Sequence, residues 1–173
     1  ASTKLSGESL SKIILEDTNT HLIISRFFTV YGPYGRPDMS ILRFIHWIIN
    51  EEKVKVFGNG EQQRSFTYIK DVVDALRRMS GLENSHTFNV GSNITVSLNE
   101  VIKLIEEFSG KNANIENLER AYKDPDVVRP NLEKINEAIG WEPITKIQEG
   151  IEKTVLWYKE NEDYLKELVY VNE

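Results

Sequence analysis

The chain has 173 residues, of which 40% are hydrophobic and 28% are charged, and its formal net charge is −6. This composition is that of an ordinary globular protein, and the net acidity excludes the basic footprint of a nucleic-acid-binding protein. The chain contains no cysteine, which excludes disulfides and thiol chemistry, and no apolar run approaches the roughly 20 residues that span a bilayer. We therefore expect a cytoplasmic protein that binds neither nucleic acid nor a membrane.

The first predicted element is a helix over residues 1–17, with an apolar stripe formed by Leu10, Ile13 and Ile14. The sequence starts inside this helix, at Ala1 and without a methionine or a capping segment. We therefore expect the chain to be part of a longer protein.

The second element is a strand over residues 21–30, HLIISRFFTV, because this segment is short, apolar and rich in β-branched and aromatic residues. Such runs are typical of buried strands in parallel sheets. Arg26 lies inside this strand, and we expect it to pair with a buried carboxylate or with backbone carbonyls.

A loop rich in glycine and proline follows, and then a helix with one apolar face. Residues 54–57 predict a brief strand, 58–60 a turn, and 64–69 a second strand. Asp71 is predicted to cap the next helix. The inward residues of that helix are predicted to be Val72, Ala75, Leu76 and Met79.

Residues 87–90 predict another strand, and the pattern Ser97-Leu98-Asn99-Glu100 predicts a helix that begins with a capping box. Residues 111–130 are irregular with one short strand near Ile115. A short helix over 132–138 is expected to stop at Gly140, and Thr145 is expected to open the last helix. Residues 162–173 are expected to form a fraying tail. Strands alternate with helices, so the predicted class is α/β.

Arginines in loops are the most suggestive candidates for chemistry. Arg36 follows a predicted parallel strand, Arg64 follows a glycine-rich turn, and Arg129 precedes a proline. Ligands bind at the carboxyl edge of parallel sheets, and a guanidinium grips phosphate or carboxylate in a two-point fork. A nucleotide diphosphate would suit these residues, although each arginine could equally make a loop salt bridge.

Other candidates have ordinary alternatives. The strand end Val56-Phe57-Gly58 could offer backbone groups and a ring to a flat base, but pattern alone favours a hairpin strand. Lys4 stands one turn from Glu8, where an exposed ion pair is the simplest interpretation. The three histidines lack the spacing of a metal site, and the sequence contains neither G-x-S-x-G nor G-x-G-x-x-G.

Four stretches together resemble the extended short-chain dehydrogenase/reductase family of NAD-dependent nucleotide-sugar epimerases and dehydratases. Residues 1–4 resemble the end of its Y-x-x-x-K motif, with the tyrosine preceding Ala1, and RFFTVYGP at 26–33 resembles its R-x-F-N-V-Y-G-P segment. Residues 56–69 resemble its V-x-G-x-G-x-x-x-R-D-F/Y segment, and residues 129–143 resemble its R-P-D…G-W-x-P ending. Within the family, GRPDM at 35–39 and the threonine at 29 look most like UDP-glucuronate 4-epimerases.

The resemblance implies the last part of a Rossmann-like NAD-binding domain plus a smaller α/β substrate-binding domain. We expect residues 1–33 to end the Rossmann-like domain and 34–165 to form mostly the nucleotide-sugar-binding domain. Strand 87–90 is a candidate to return to the Rossmann sheet, and 166–173 would be a tail.

The resemblance also implies roles for individual residues. Lys4 would hold the NAD ribose and lower the pKa of the preceding tyrosine. The other implied contacts are with the UDP-sugar. They are Thr29 and Arg36 at the sugar, Ser40 and Ile41 along the nucleotide, Val56 and Phe57 at the uracil, Arg64 and Arg129 at the diphosphate, and Asp126 at the ribose.

The implied reaction is inversion at sugar C4 through a transient 4-keto intermediate, with the tyrosine as base and NAD as hydride carrier. UDP-glucose 4-epimerase and UDP-glucuronate decarboxylase are the alternatives within the family, and a non-catalytic UDP-sugar-binding module is an alternative of another class. The family implies a homodimer packed through the first helix, whose stripe could equally belong to the core of the chain. Without the tyrosine and the glycine-rich motif, we expect the chain alone to be inactive.

Overall fold

The computed structural model describes residues 2–119 and 125–166, and strands alternate with helices along both parts. The helices are α1 (Ser2–Leu15), α2 (Ser40–Ile49), α3 (Ile69–Met79), α4 (Leu98–Ser109), α5 (Glu133–Ile139), α6 (Ile147–Glu160) and α7 (Glu162–Lys166). The strands are β1 (Ile23–Phe27), β2 (Val30–Tyr31), β3 (Lys53–Phe57), β4 (Gln63–Arg64), β5 (Thr67–Tyr68), β6 (His86–Val90), β7 (Val96–Ser97), β8 (Asn114–Leu118) and β9 (Val127–Val128). The predicted α/β class is confirmed.

Strands that are distant in the sequence pair with one another. β1 pairs with β6, β2 with β5 and β3 with β8, all in parallel, and β4 lies between antiparallel β7 and parallel β9. The pairing of β1 with β6 places residues 87–90 beside the first strand. The division of the chain into two domains stays a prediction.

The single buried strand predicted over residues 21–30 is wrong in two respects. The structure has two strands there, and β1 is only partly buried. The Phe28 amide donates to the Val90 carbonyl (3.0 Å), and the Thr29 carbonyl accepts from the Thr67 amide (2.9 Å). The chain therefore changes its pairing partner at residues 28–29, which ends the first strand.

The strand predicted over 64–69 is likewise divided into β4 and β5, and α3 already begins at Ile69. β3 pairs with β8 and not with β4, so the hairpin alternative for residues 54–57 is wrong. Distant pairing explains both differences, because each short segment of residues 63–68 hydrogen-bonds to a different partner.

The main core lies where α2, α4 and α6 pack together against β3. The predicted apolar face of α2 is buried, and the predicted capping box of α4 is present, with the Ser97 side chain accepting from the Glu100 amide. A second cluster around Phe88 and Trp141 joins α3, α5 and β6. α5 ends at Gly140 in the left-handed conformation (φ 59°), as predicted.

Asp71 does not cap α3, because the N-cap position belongs to Tyr68. Its carboxylate instead accepts hydrogen bonds from the Thr145 amide (3.0 Å) and hydroxyl (3.1 Å). The Trp141 indole donates to the Asp71 carbonyl (3.1 Å). Asp71 thus links the segment before α6 to α3 through Thr145. Thr145 does not begin the last helix as expected, because Lys146 occupies the N-cap position of α6.

Two other expectations need correction. Leu76, predicted to face inward, is exposed, whereas Val72, Ala75 and Met79 are buried as expected. Residues 162–166 form α7, which carries the buried Leu165 and is not a fraying segment. Residues 167–173 lie outside the described residues.

α1 buries none of its residues, so the alternative that its stripe belongs to the core does not hold for the described parts of the chain. Four of its apolar side chains are each more than half exposed, and they are Leu5, Leu10, Ile13 and Ile14. Among the residues that the structure describes, no helix has the length and hydropathy of a membrane span.

Candidate functional site

Lys4 lies on the exposed surface of α1. Glu8, its expected ion-pair partner, instead accepts two hydrogen bonds from Arg26, at 2.8 Å from Nε and 2.6 Å from Nη2. These bonds hold the pKa of Glu8 below its usual value. Arg26 is therefore paired with a carboxylate as predicted. The Glu8 side chain is 17% exposed and that of Arg26 is 50% exposed, and the pair fastens α1 to β1.

Four predicted site residues line one narrow crevice between the loop after β2 and the start of α2. They are Thr29, Arg36, Ser40 and Ile41. Arg36 is 76% exposed, and its guanidinium is bound by Asp38 through Nε (3.0 Å) and Nη2 (2.5 Å). This pair lowers the pKa of Asp38. Exposed ion pairs contribute little free energy, so an anionic ligand could replace Asp38 as the partner of Arg36.

Val56 and Phe57 end β3 with different environments. The Val56 side chain is buried in the main core, whereas the Phe57 side chain is 37% exposed. The Phe57 carbonyl accepts a hydrogen bond from the buried Gln62 side chain (2.8 Å). A base at this position would therefore meet the ring of Phe57, and Val56 could take part only through its backbone. No motif in the sequence indicated the role of Gln62, whose side chain joins the loop after β3 to the end of that strand.

Arg64 lies beside the segment that carries Asp126 and Arg129. Register partners across β4 and β9 are Gln63 with Val127 and Arg64 with Val128, and the Gln63 amide donates to the Asp126 carbonyl (2.7 Å). Arg64 Nη1 donates to the carbonyls of Gln63 (2.8 Å) and Pro125 (2.9 Å). Strand pairing thus places Arg64 beside the segment of Asp126 and Arg129, which lies more than 60 positions later in the sequence.

Arg129 is exposed and lines a groove with the side-chain amides of Asn93, Asn131 and Asn136. This groove is a different cavity from the crevice at Arg36. The convergence of Arg36, Arg64 and Arg129 on one ligand therefore stays a prediction. No group of acidic or histidine side chains suited to a metal ion occurs among residues 2–119 and 125–166.

A family model described as the NAD dependent epimerase/dehydratase family matches residues 1–91. The chain belongs to this family. It is 38% identical to the UDP-glucuronate 4-epimerase of Thermodesulfobacterium geofontis, over 97% of this chain and 52% of that protein. It is 31% identical to UDP-glucuronic acid decarboxylase 2 of Arabidopsis thaliana, over 86% of this chain and 34% of that protein.

Two solved structures with bound UDP-glucuronic acid and NAD share the fold. MoeE5 in complex with UDP-glucuronic acid and NAD superimposes with a TM-score of 0.87 at 30% identity, over 92% of this chain and 55% of that chain. The UDP-glucuronic acid 4-epimerase of Bacillus cereus, in complex with UDP-glucuronic acid and NAD, gives a TM-score of 0.84 at 29% identity, over 91% of this chain and 51% of that chain. The chain spans about half the length of these relatives, and the Rossmann-like α/β fold expected from the sequence is confirmed.

A contact between Lys4 and NAD stays a prediction. Lys4 is exposed on α1, and the carboxylate one turn away is held by Arg26. Its ammonium therefore suits a contact with a ribose hydroxyl.

Proposed function

We propose that the chain is the carboxy-terminal, nucleotide-sugar-binding portion of an NAD-dependent UDP-sugar 4-epimerase, with UDP-glucuronate as the substrate. The observation that supports this most is the pairing of β4 with β9, which puts Arg64 next to the segment of Asp126 and Arg129. Two arginines on neighbouring chain segments suit a diphosphate, because each guanidinium can bind phosphate oxygens in a two-point fork. The 38% identity to a UDP-glucuronate 4-epimerase supports the choice of sugar.

The proposed contacts follow the described positions. Arg64 and Arg129 bind the diphosphate and Asp126 the ribose, while the Phe57 ring and the Val56 backbone hold the uracil. The crevice residues face the remainder of the ligand. Thr29 and Arg36 contact the sugar and its carboxylate, and Ser40 and Ile41 line the nucleotide.

Lys4 would hold the NAD ribose and favour the phenolate of a tyrosine that precedes Ala1 in the complete protein, since a nearby ammonium stabilises the charged form. That phenolate takes the proton of the sugar C4 hydroxyl. Bound NAD would supply the hydride acceptor and donor for inversion at C4 through the 4-keto sugar.

Two alternatives within the family have specific support. Arg64-Ser65-Phe66 is similar to UDP-glucuronate decarboxylases, and the 4-keto form of UDP-glucuronate is a β-keto acid that can lose its carboxylate. UDP-glucose 4-epimerase is the other alternative. We further propose a cytoplasmic homodimer packed through the exposed stripe of α1, defined by Leu5, Leu10, Ile13 and Ile14. A non-catalytic UDP-sugar-binding module is the alternative of another class.

The test uses the complete polypeptide encoded by the reading frame of this chain, incubated with UDP-glucuronate and NAD. We expect the C4 epimer, identified by proton NMR of the sugar, and we expect no turnover by the 173-residue chain alone. Release of carbon dioxide from UDP-glucuronate would instead identify a decarboxylase. Conversion of UDP-glucose but not of UDP-glucuronate would identify a UDP-glucose epimerase.

A matched pair of variants tests the proposed diphosphate site. Arg129→Gln should raise the KM for UDP-glucuronate by about tenfold or more, because a charge-assisted contact is lost. Arg77→Gln, on the exposed surface of α3, should leave KM unchanged. UDP binding without any turnover by the complete polypeptide would favour the binding module, and absence of both would refute the proposal.

A further inference from the structure

Ser65 is a buried serine at the point where the segments of the proposed ligand site meet. Its hydroxyl donates to the Ser92 carbonyl (2.7 Å) and accepts from the Ser92 amide (2.9 Å). Its own amide donates to the Val128 carbonyl (3.1 Å). One small residue therefore connects β4, the loop after β6, and β9.

Each of these segments carries a proposed ligand contact. Arg64 directly precedes Ser65, and Arg129 directly follows Val128, whose carbonyl Ser65 binds. Asn93 follows Ser92 and lines the groove of Arg129. A shift of the Ser65 backbone would therefore move both guanidiniums and one wall of the groove.

The loop that Ser65 holds is also packed on its other side. A Cβ on Gly91 would lie 2.8 Å from Pro130 Cγ and 3.0 Å from Phe28 Cβ, so glycine allows these two residues to approach closely. Pro130 follows Arg129, and Phe28 precedes Thr29. The two hydrogen bonds to Ser92 thus fix a loop on which the Arg129 and Thr29 segments both rest.

We infer that Ser65 is a positioning residue, whose hydroxyl sets the separation of Arg64 and Arg129 for a diphosphate through the Ser92 peptide. This inference rests on the proposed function, because it assumes that the two arginines bind the diphosphate. Ser65 itself touches no ligand. It acts through the backbone of its neighbours, so its removal should affect binding of the diphosphate and spare binding of the nucleoside.

The experiment measures binding of UDP and of uridine by isothermal titration calorimetry, with the complete polypeptide. Ser65→Ala should raise the Kd for UDP about tenfold, since two hydrogen bonds to the backbone of Ser92 are lost, and should change the Kd for uridine less than about twofold. In turnover assays, KM for UDP-glucuronate should rise while kcat stays within about twofold.

Thr154→Val is the matched control. The Thr154 hydroxyl is buried and donates to the Gly150 carbonyl within α6, far along the chain from the proposed contacts. Its removal costs a buried hydrogen bond in the same way, but it should leave the Kd values for UDP and uridine unchanged. If both variants weakened UDP binding equally, Ser65 would have only a general structural role and the inference would fall.

A double-mutant cycle with Arg129→Gln separates the outcomes further. If Ser65 acts through Arg129, Ser65→Ala should weaken UDP binding less in the Arg129→Gln background than in the unsubstituted protein. If Ser65→Ala does not fold, as judged by circular dichroism, Ser65→Cys replaces it with the same expected difference between UDP and uridine, because a thiol keeps the shape of the side chain and weakens both hydrogen bonds. An unsubstituted protein that does not bind UDP would overturn the proposed function. UDP binding that Ser65→Ala leaves intact would overturn only this inference.

Discussion

α1 and α2 have similar apolar patterns but opposite burial. α2 buries seven of its ten residues against the helices and strands of the main core, whereas α1 buries none of its 14 residues. Within the described parts of the chain, nothing covers the stripe of α1. A helical spacing of apolar residues therefore predicts the helix and its apolar face, but what packs against that face depends on the tertiary structure.

The largest expected effect contrasts one residue from each helix. Ile45→Ala in α2 should lower the free energy of unfolding of the chain by about 3 kcal/mol, because Ile45 is fully buried and its loss leaves a cavity. Ile13→Ala in α1 should change it by less than about 0.5 kcal/mol, because Ile13 is exposed. Urea unfolding of the 173-residue chain measures both, and equal losses would mean that α1 is covered in solution.

A smaller loss of the free energy of unfolding is expected from the hydrogen bonds between Asp71 in α3 and Thr145 before α6. Asp71→Ala should lower the free energy of unfolding by about 2 kcal/mol, because it leaves the Thr145 amide and hydroxyl without their acceptor. Asp74→Ala is the control on the same helix, where the carboxylate binds exposed arginines. A loss at Asp71 no greater than that at Asp74 would contradict the structural role of these hydrogen bonds.

A third effect depends on pH and concerns the contact between α2 and α6. His46 Nδ1 lies 2.7 Å from the Tyr158 hydroxyl, and partial burial lowers the pKa of His46, which the attraction of Glu52 only partly offsets. The unfolded chain therefore takes up the proton first as pH falls below about 6.5. The free energy of unfolding therefore decreases as pH falls from that value to the lower pKa of His46 in the folded chain.

The measurement is the melting temperature at pH 7.5 and pH 5.5. We expect the melting temperature to be lower at pH 5.5, and we expect His46→Gln to remove the part of this fall that His46 accounts for. An identical pH dependence in the two proteins would refute this contribution.

The smallest effect is expected at the bond between α1 and β1. Glu8→Gln removes the charge from an exposed pair with Arg26, and such pairs contribute little. The melting temperature should fall less than it does for Ile45→Ala or Asp71→Ala. Because the pair lowers the pKa of Glu8, its contribution is present above the ordinary glutamate value and is lost as pH falls through the lower folded value. A loss comparable to that of Ile45→Ala would show that α1 is held mainly by this pair.

Local signals in the sequence were enough for several elements. The capping box at Ser97 and Glu100 and the left-handed Gly140 each act within one turn of a helix, so neighbouring residues determine them. The division of residues 21–30 could not be predicted, because it depends on two partner strands that come much later in the chain.

The candidate site was predictable as a set of residue types and not as an arrangement. Arg64, Asp126 and Arg129 could be chosen from the sequence, but their proximity depends on the pairing of β4 with β9. The contacts of Gln62 with Phe57 and of Ser65 with Ser92 left no trace in the sequence pattern, since a polar residue in a loop has many possible partners.

The lack of a side chain at Gly91 has a practical consequence for protein engineering. Even a methyl group there would clash with Pro130 and Phe28, which lie next to the proposed contacts Arg129 and Thr29. The spacing between these two segments therefore depends on glycine at this position. Attempts to alter ligand preference should therefore vary side chains that point away from this contact, such as Asn93, and should keep residue 91 as it is.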